Sequence, residues 1–142
     1  PDFANYRRDG YDFDARYDEG LAKRTDKVLY DLLDSKAPII SKELKKLGDY
    51  RKGGNKGFDT SITRLQEQCY VITSNFAYMT DKNGQPYGWG VAEYSTPEKF
   101  MGATFTDKVY QREPEESYQL ILDHLKKILP QASMEQIKKI LK

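Results

Sequence analysis

Hydrophobic positions along the chain fall into groups, and most groups carry a helical period. Residues 57–94 read as a helix, a strand, a tight turn and a second strand. Phe58, Ile62, Leu65 and Cys69 recur at steps of four, three and four, which puts them on one helical face. Ser61, Thr63, Arg64 and Gln68 are assigned to the opposite, hydrogen-bonding face. The segment from Tyr70 to Tyr78 is rich in β-branched and aromatic residues and predicts a strand. Asp81-Lys82-Asn83-Gly84 predicts a hairpin turn, since Asn-Gly is the strongest short signal for one. Trp89, Val91 and Tyr94 belong to the return strand.

Upstream, Val28, Leu29, Leu32 and Leu33 form an apolar stripe that predicts a helix over 24–34. Pro38 ends it, because the residue before a proline is pushed out of the α region. Pro38-Ile39-Ile40 reads as a short extended link. Ser41 is expected to cap a second helix with Leu44 and Leu47 inward and Gly48 at its end. Asp59 is expected to cap the third. Three short helices followed by a hairpin give the expected fold class: α+β, a winged helix-turn-helix (three helices plus a β-hairpin wing) with additional C-terminal helices.

The flanks extend this unit. Residues 1–20 alternate aromatics (Phe3, Tyr6, Tyr11, Phe13, Tyr17) with aspartates and fit neither a helical nor a strand period. An irregular arm packed on its own domain is expected, because aromatics mostly serve burial. Thr96-Pro97-Glu98 is a helix-start signature, with Phe100 and Met101 expected to anchor that turn to the core. Residues 102–112 show no period. Pro114-Glu115-Glu116 opens a longer helix striped by Tyr118, Ile121, Leu122, Leu125, Ile128 and Leu129 and ended by Pro130. Ser133 and Gln136 predict a capping box for a last helix with Ile137, Ile140 and Leu141 inward. The expected organisation is an arm over 1–20, a winged-helix domain over 21–102 and a helical extension over 103–142 packed on it.

At 142 residues one domain is the natural expectation, and such a chain buries roughly 68% of its unfolded surface without disulfide or metal. Formal net charge is only +1. Its distribution changes the picture. Residues 1–35 hold six Lys/Arg and nine Asp/Glu, a net of −3. Residues 36–64 hold eight and three, a net of +5, and residues 65–142 hold nine and ten, a net of −1. Clustered charge is what contacts phosphates. Lys45, Lys46, Arg51, Lys52 and Lys56 are therefore candidate phosphate contacts. Ser61, Thr63, Arg64 and Gln68 are candidates to face bases or backbone, and Lys82, Asn83 and Gln85 to form the wing contact. The expected partner is double-stranded DNA. A homodimer through the two C-terminal helices is a further candidate partner, as is an upstream domain, since the chain begins at Pro1 rather than Met. No membrane partner is expected, as no apolar run approaches a membrane span, and one cysteine fits a reducing, cytoplasmic location. Neither a cofactor nor a metal site is expected: no ligand spacing, phosphate-cradling loop or nucleophile elbow occurs. His124 and Cys69 read as a helix-surface residue and a small buried hydrophobe.

Gly57-Phe58-Asp59, Thr63-Arg64-Leu65-Gln66-Glu67-Gln68, Pro86-Tyr87-Gly88-Trp89-Gly90-Val91-Ala92 and Tyr94-Ser95-Thr96-Pro97-Glu98 together resemble the bacterial winged-helix proteins related to the crosslink- and alkylation-repair DNA glycosylases. The resemblance covers roughly residues 20–102. It implies action on DNA, within a protein related to DNA repair or regulation. The repair glycosylases carry a glutamine–apolar–glutamine or glutamine–apolar–aspartate motif near a catalytic water. Gln66 and Gln68 match its outer positions, while Glu67 departs from the apolar middle. No catalytic residue is assigned to this chain by itself beyond those two candidates. Two alternatives stay open: a fragment of a glycosylase that acts on alkylated bases, and a winged helix used for protein contact.

Overall fold

A computed structural model of the chain describes residues 1–50 and 53–141, with side chains described everywhere in them except at 78, 79 and 86–89. Element order is α1 (Asp2–Arg8), α2 (Phe13–Asp18), α3 (Arg24–Lys36), β1 (Ile39–Ile40), α4 (Ser41–Leu47), α5 (Phe58–Glu67), β2 (Ile72–Thr80), β3 (Pro86–Ser95), α6 (Pro97–Met101), α7 (Ala103–Thr106), α8 (Pro114–Ile128) and α9 (Met134–Ile140). The fold is α+β. Its antiparallel sheet has the order β1-β3-β2. The short link at Ile39–Ile40 is thus a strand, paired with Tyr94 and Glu93 at the base of the hairpin.

The main core lies where α3, α4 and α5 meet the base of the hairpin. Leu29, Leu33, Leu44 and Leu65 are fully buried there with Tyr70, and Phe58, Ile62, Val71 and Tyr94 complete it. Phe13 reaches into the same core from α2 and stacks 4.4 Å from Tyr30. Two satellites flank it. Ala4, Phe105 and Val109 pack with Cys69, and Leu122, Ile137 and Leu141 pack with Tyr6 and Tyr118.

Residues 1–20 are helical, not irregular. Two short helices, of seven and six residues, lie there. Their stability comes from distant partners and local caps: Asp12 accepts a hydrogen bond from the Ala15 amide at 2.8 Å, and Asn5 donates to the Arg112 carbonyl at 2.7 Å. Helix α8 packs chiefly on α1 and α9, so the C-terminal extension rests on the arm.

Several local expectations hold. Thr96 caps α6 with Pro97 in its first turn, and Ser133 and Gln136 form the capping box of α9. Others are corrected. Ser41 is the first helical residue, with Ile40 at the cap position. Asp59 lies in the first turn of α5 behind Gly57, whose φ of 83° turns the chain into the helix and suits a residue without Cβ. Asn83 does not adopt the left-handed conformation of a two-residue Asn-Gly turn. Instead residues 81–85 form a five-residue loop: Asp81 Oδ1 accepts from the amides of Asn83 and Gln85, and Gly84 supplies the positive φ of 76°. Phe100 and Met101 are 60% and 44% exposed, and the nearby small core is built instead from Ala4, Phe105 and Val109. Leu47, Ile128, Leu129 and Ile140, expected to face inward, are also exposed.

Candidate nucleic-acid interface

Helix α5 presents two unlike faces. Phe58, Ser61, Ile62 and Leu65 are buried. Ser61 lies three residues after Phe58 and four before Leu65, so the helical period places it among the apolar residues and not opposite them. It is 4% exposed and its hydroxyl donates to Thr25 Oγ1 at 3.4 Å. The outer face forms a shallow groove lined by Asp59, Thr60, Thr63, Arg64 and Glu67.

Arg64 is fixed within that groove. Its Nη1 donates to both carboxylate oxygens of Asp26, at 3.0 and 2.9 Å. Asp26 sits in the first turn of α3 and is 1% exposed, whereas the Arg64 side chain keeps 28% of its surface in solvent. The pair satisfies a buried carboxylate that would otherwise be costly. Nothing local in the sequence announces it, since the partners lie 38 residues apart.

The structure places three of the five predicted phosphate contacts of the helix-turn region. Lys45, Lys46 and Lys56 are exposed, and Lys45 Nζ stands 5.1 Å from the centre of the Phe58 ring. Arg51 and Lys52 lie outside the described residues. Gln68 is half-buried and ends α5 as its C-cap, and Thr63 is exposed. Lys82, Asn83 and Gln85 are all exposed in the hairpin turn. That turn begins seven residues along β3 from Glu93, where β1 pairs, so its tip stands about 23 Å from the base of the hairpin. None of Lys45, Lys46, Lys56 and Lys82 forms an ion pair among the described residues.

The glutamines of the triplet take structural places. Gln66 Oε1 accepts a hydrogen bond from Thr73 Oγ1 at 3.1 Å, tying α5 to β2, and neither Gln66 nor Gln68 lines the α5 groove. Cys69, just beyond the helix, is left-handed with φ 62°. Burial pushes its thiol up from its ordinary value, against the lowering influence of Arg8 and Arg7. His124 is exposed on α8. Among the described residues no group of three or more His, Cys, Asp or Glu is placed to hold a metal, and no helix is long and apolar enough to cross a membrane.

Fold and site together define a small α+β domain whose third core helix is outwardly polar and runs straight into a long hairpin. A family model described as AlkZ related matches residues 1–142, and the chain belongs to that family. AlkZ itself is a DNA-repair crosslink glycosylase, which makes this family one related to DNA repair. The chain matches neither a curated protein nor a solved structure.

Proposed function

We propose that residues 24–95 form a winged helix and that it binds duplex DNA, with α5 in the major groove and the 81–85 turn as the wing. The observation that carries this reading is the order α3-β1-α4-α5-β2-β3 with the sheet order β1-β3-β2. That order leaves the outer face of α5 uncovered and extends a hairpin beside it. The major groove, about 12 Å wide, admits one helix. A hairpin reaching about 23 Å from its base is long enough to meet the neighbouring phosphates. Lys45, Lys46, Lys56 and Lys82 supply phosphate contacts together with Arg51 and Lys52, and Asn83 and Gln85 add neutral donors. Ser61 drops out of the contact set because it is buried. Titration of a fluorescent duplex with the protein at low salt tests the reading. Saturable binding that unlabelled duplex competes away is expected, and the absence of binding overturns it.

Membership of the AlkZ-related family favours a second reading, base removal from alkylated duplex within a longer protein. Release of alkylated bases by the protein, lost in Gln66→Ala and Gln68→Ala, would support it. Undiminished release by both variants would remove the glutamines from the reaction.

A further inference from the structure

The α5 groove contains one donor group whose orientation is set from below. Arg64 Nη1 is committed to both oxygens of the buried Asp26. Among the described residues neither Nε nor Nη2 of Arg64 has a hydrogen-bond partner, and the side chain lines the groove. A guanidinium held in this way loses little further freedom on binding. Its Nε–Nη2 edge presents two parallel donors, the geometry that suits a bidentate acceptor. Three residues later, and therefore about 4.5 Å further along the axis, comes Glu67, exposed and outside any ion pair among the described residues. Its carboxylate only accepts hydrogen bonds. Beyond Asp59, Thr60 and Thr63, which line its N-terminal part, the groove thus offers two donors followed by an acceptor.

In the major groove of B-DNA, guanine shows two acceptors, N7 and O6, and its paired cytosine shows a donor, the N4 amino group. This is the complement of Arg64 followed by Glu67. From this match, and resting on the duplex-binding reading above, the geometry points to α5 as a reader of a G·C pair. Arg64 takes guanine N7 and O6, and Glu67 takes cytosine N4 of the same or the adjacent pair. Asp26 acts as a positioning residue, since it orients Arg64 without touching the base. Adenine lacks the second acceptor and carries a donor in its place, so an A·T pair meets Arg64 with a donor facing a donor. The acidic groups on this helix, which repel phosphate, become specificity elements once the helix lies on base edges and the lysines elsewhere hold the backbone.

The test is selection of the full chain against a random duplex library, followed by affinities for one selected duplex and its variants. A G·C pair at one fixed position is expected. Replacing that pair by A·T, or its guanine by 7-deazaguanine, should weaken binding about five- to a hundredfold. Arg64→Lys keeps the charge but not the fork and should flatten the preference at that position. Glu67→Gln, a change confined to the exposed surface, should reduce the discrimination with the fold intact by circular dichroism. Salt-dependent duplex binding without any G·C preference overturns this inference and leaves the duplex-binding reading standing. A preference that survives both Arg64→Lys and Glu67→Gln overturns it as well. Failure to bind any duplex at low salt overturns both.

Discussion

The guanidinium of Arg8 donates two hydrogen bonds to the backbone carbonyl of Cys69, from Nε at 3.2 Å and from Nη2 at 2.7 Å. This ties the N-terminal helix to the junction where α5 ends and the hairpin begins. Arg8 is 2% exposed. Glu98 at 2.7 Å balances its charge, Tyr110 accepts a further bond at 2.9 Å, and the ring of Tyr70 lies 4.7 Å away. The opposing effects on its pKa are consistent with this: burial lowers it, and Glu98 and Tyr110 raise it to a net increase. Arg8→Ala should therefore lower unfolding stability by about 3 kcal/mol. Arg8→Lys should recover little of this, because a single ammonium nitrogen cannot stand where Nε, Nη1 and Nη2 separately reach the Cys69 carbonyl, Tyr110 and Glu98. Urea unfolding of the two variants checks both expectations.

Alkali should unfold the protein earlier than its neutral stability suggests. Burial pushes the Tyr70 phenol up to about 12, against the lowering effect of Arg16, and pushes up the phenols of Tyr30 and Tyr110 as well. Above about pH 10 the unfolded chain loses phenolic protons that the folded chain keeps. The folded state then binds more protons, and stability falls as pH rises. Tyr70 by itself should contribute a loss of ~3 kcal/mol between about pH 10 and 12. Urea midpoints measured from pH 8 to 11.5 should fall progressively, and more shallowly in Tyr70→Phe. That variant also lacks the 2.7 Å bond from the Tyr70 hydroxyl to the Tyr11 carbonyl and starts about 1 kcal/mol lower at neutral pH.

Gly84 holds a φ of 76° in the hairpin loop, with nothing within 4 Å of where a Cβ would stand. Its constraint is conformational and not steric crowding by neighbours. Gly84→Ala should cost about 1 kcal/mol, visible as a lowered urea midpoint. Binding to duplex should weaken with it if the loop carries the wing contact.

In the 81–85 turn, Lys82→Ala should leave stability within about 0.5 kcal/mol, since the residue is exposed. It should reduce the salt slope of duplex binding by about 0.9. An unchanged slope would place Lys82 away from the backbone.

The parts of the fold that could be read in the sequence are those with local signals. The stripe of α3, the proline at its end, the Thr96 cap and the capping box at Ser133 each rest on residues within one or two turns. The hairpin was legible in position but not in turn type, because Asp81 organises the loop through its side chain. The arm was not legible as helix, since its ordering comes from contacts such as Arg8 to Cys69, 61 residues away. In the candidate site, exposure of Lys45, Lys46, Lys56, Lys82, Asn83 and Gln85 agrees with their polar character. Ser61 was misplaced because its polarity suggested the outer face while its spacing from Phe58 and Leu65 dictated the inner one. The Asp26–Arg64 pair depends on the approach of α3 to α5, which no window of sequence contains.

The most direct test of duplex binding is the dependence of affinity on salt. Neutralising about six phosphates, one for each of Lys45, Lys46, Arg51, Lys52, Lys56 and Lys82, predicts a log–log slope of about −5 to −6 on B-DNA between 50 and 200 mM salt. A measured slope in that range supports a winged helix held on the DNA backbone by the lysines of α4, the following loop and the wing. A slope near zero, or no binding at the lowest salt, would contradict it.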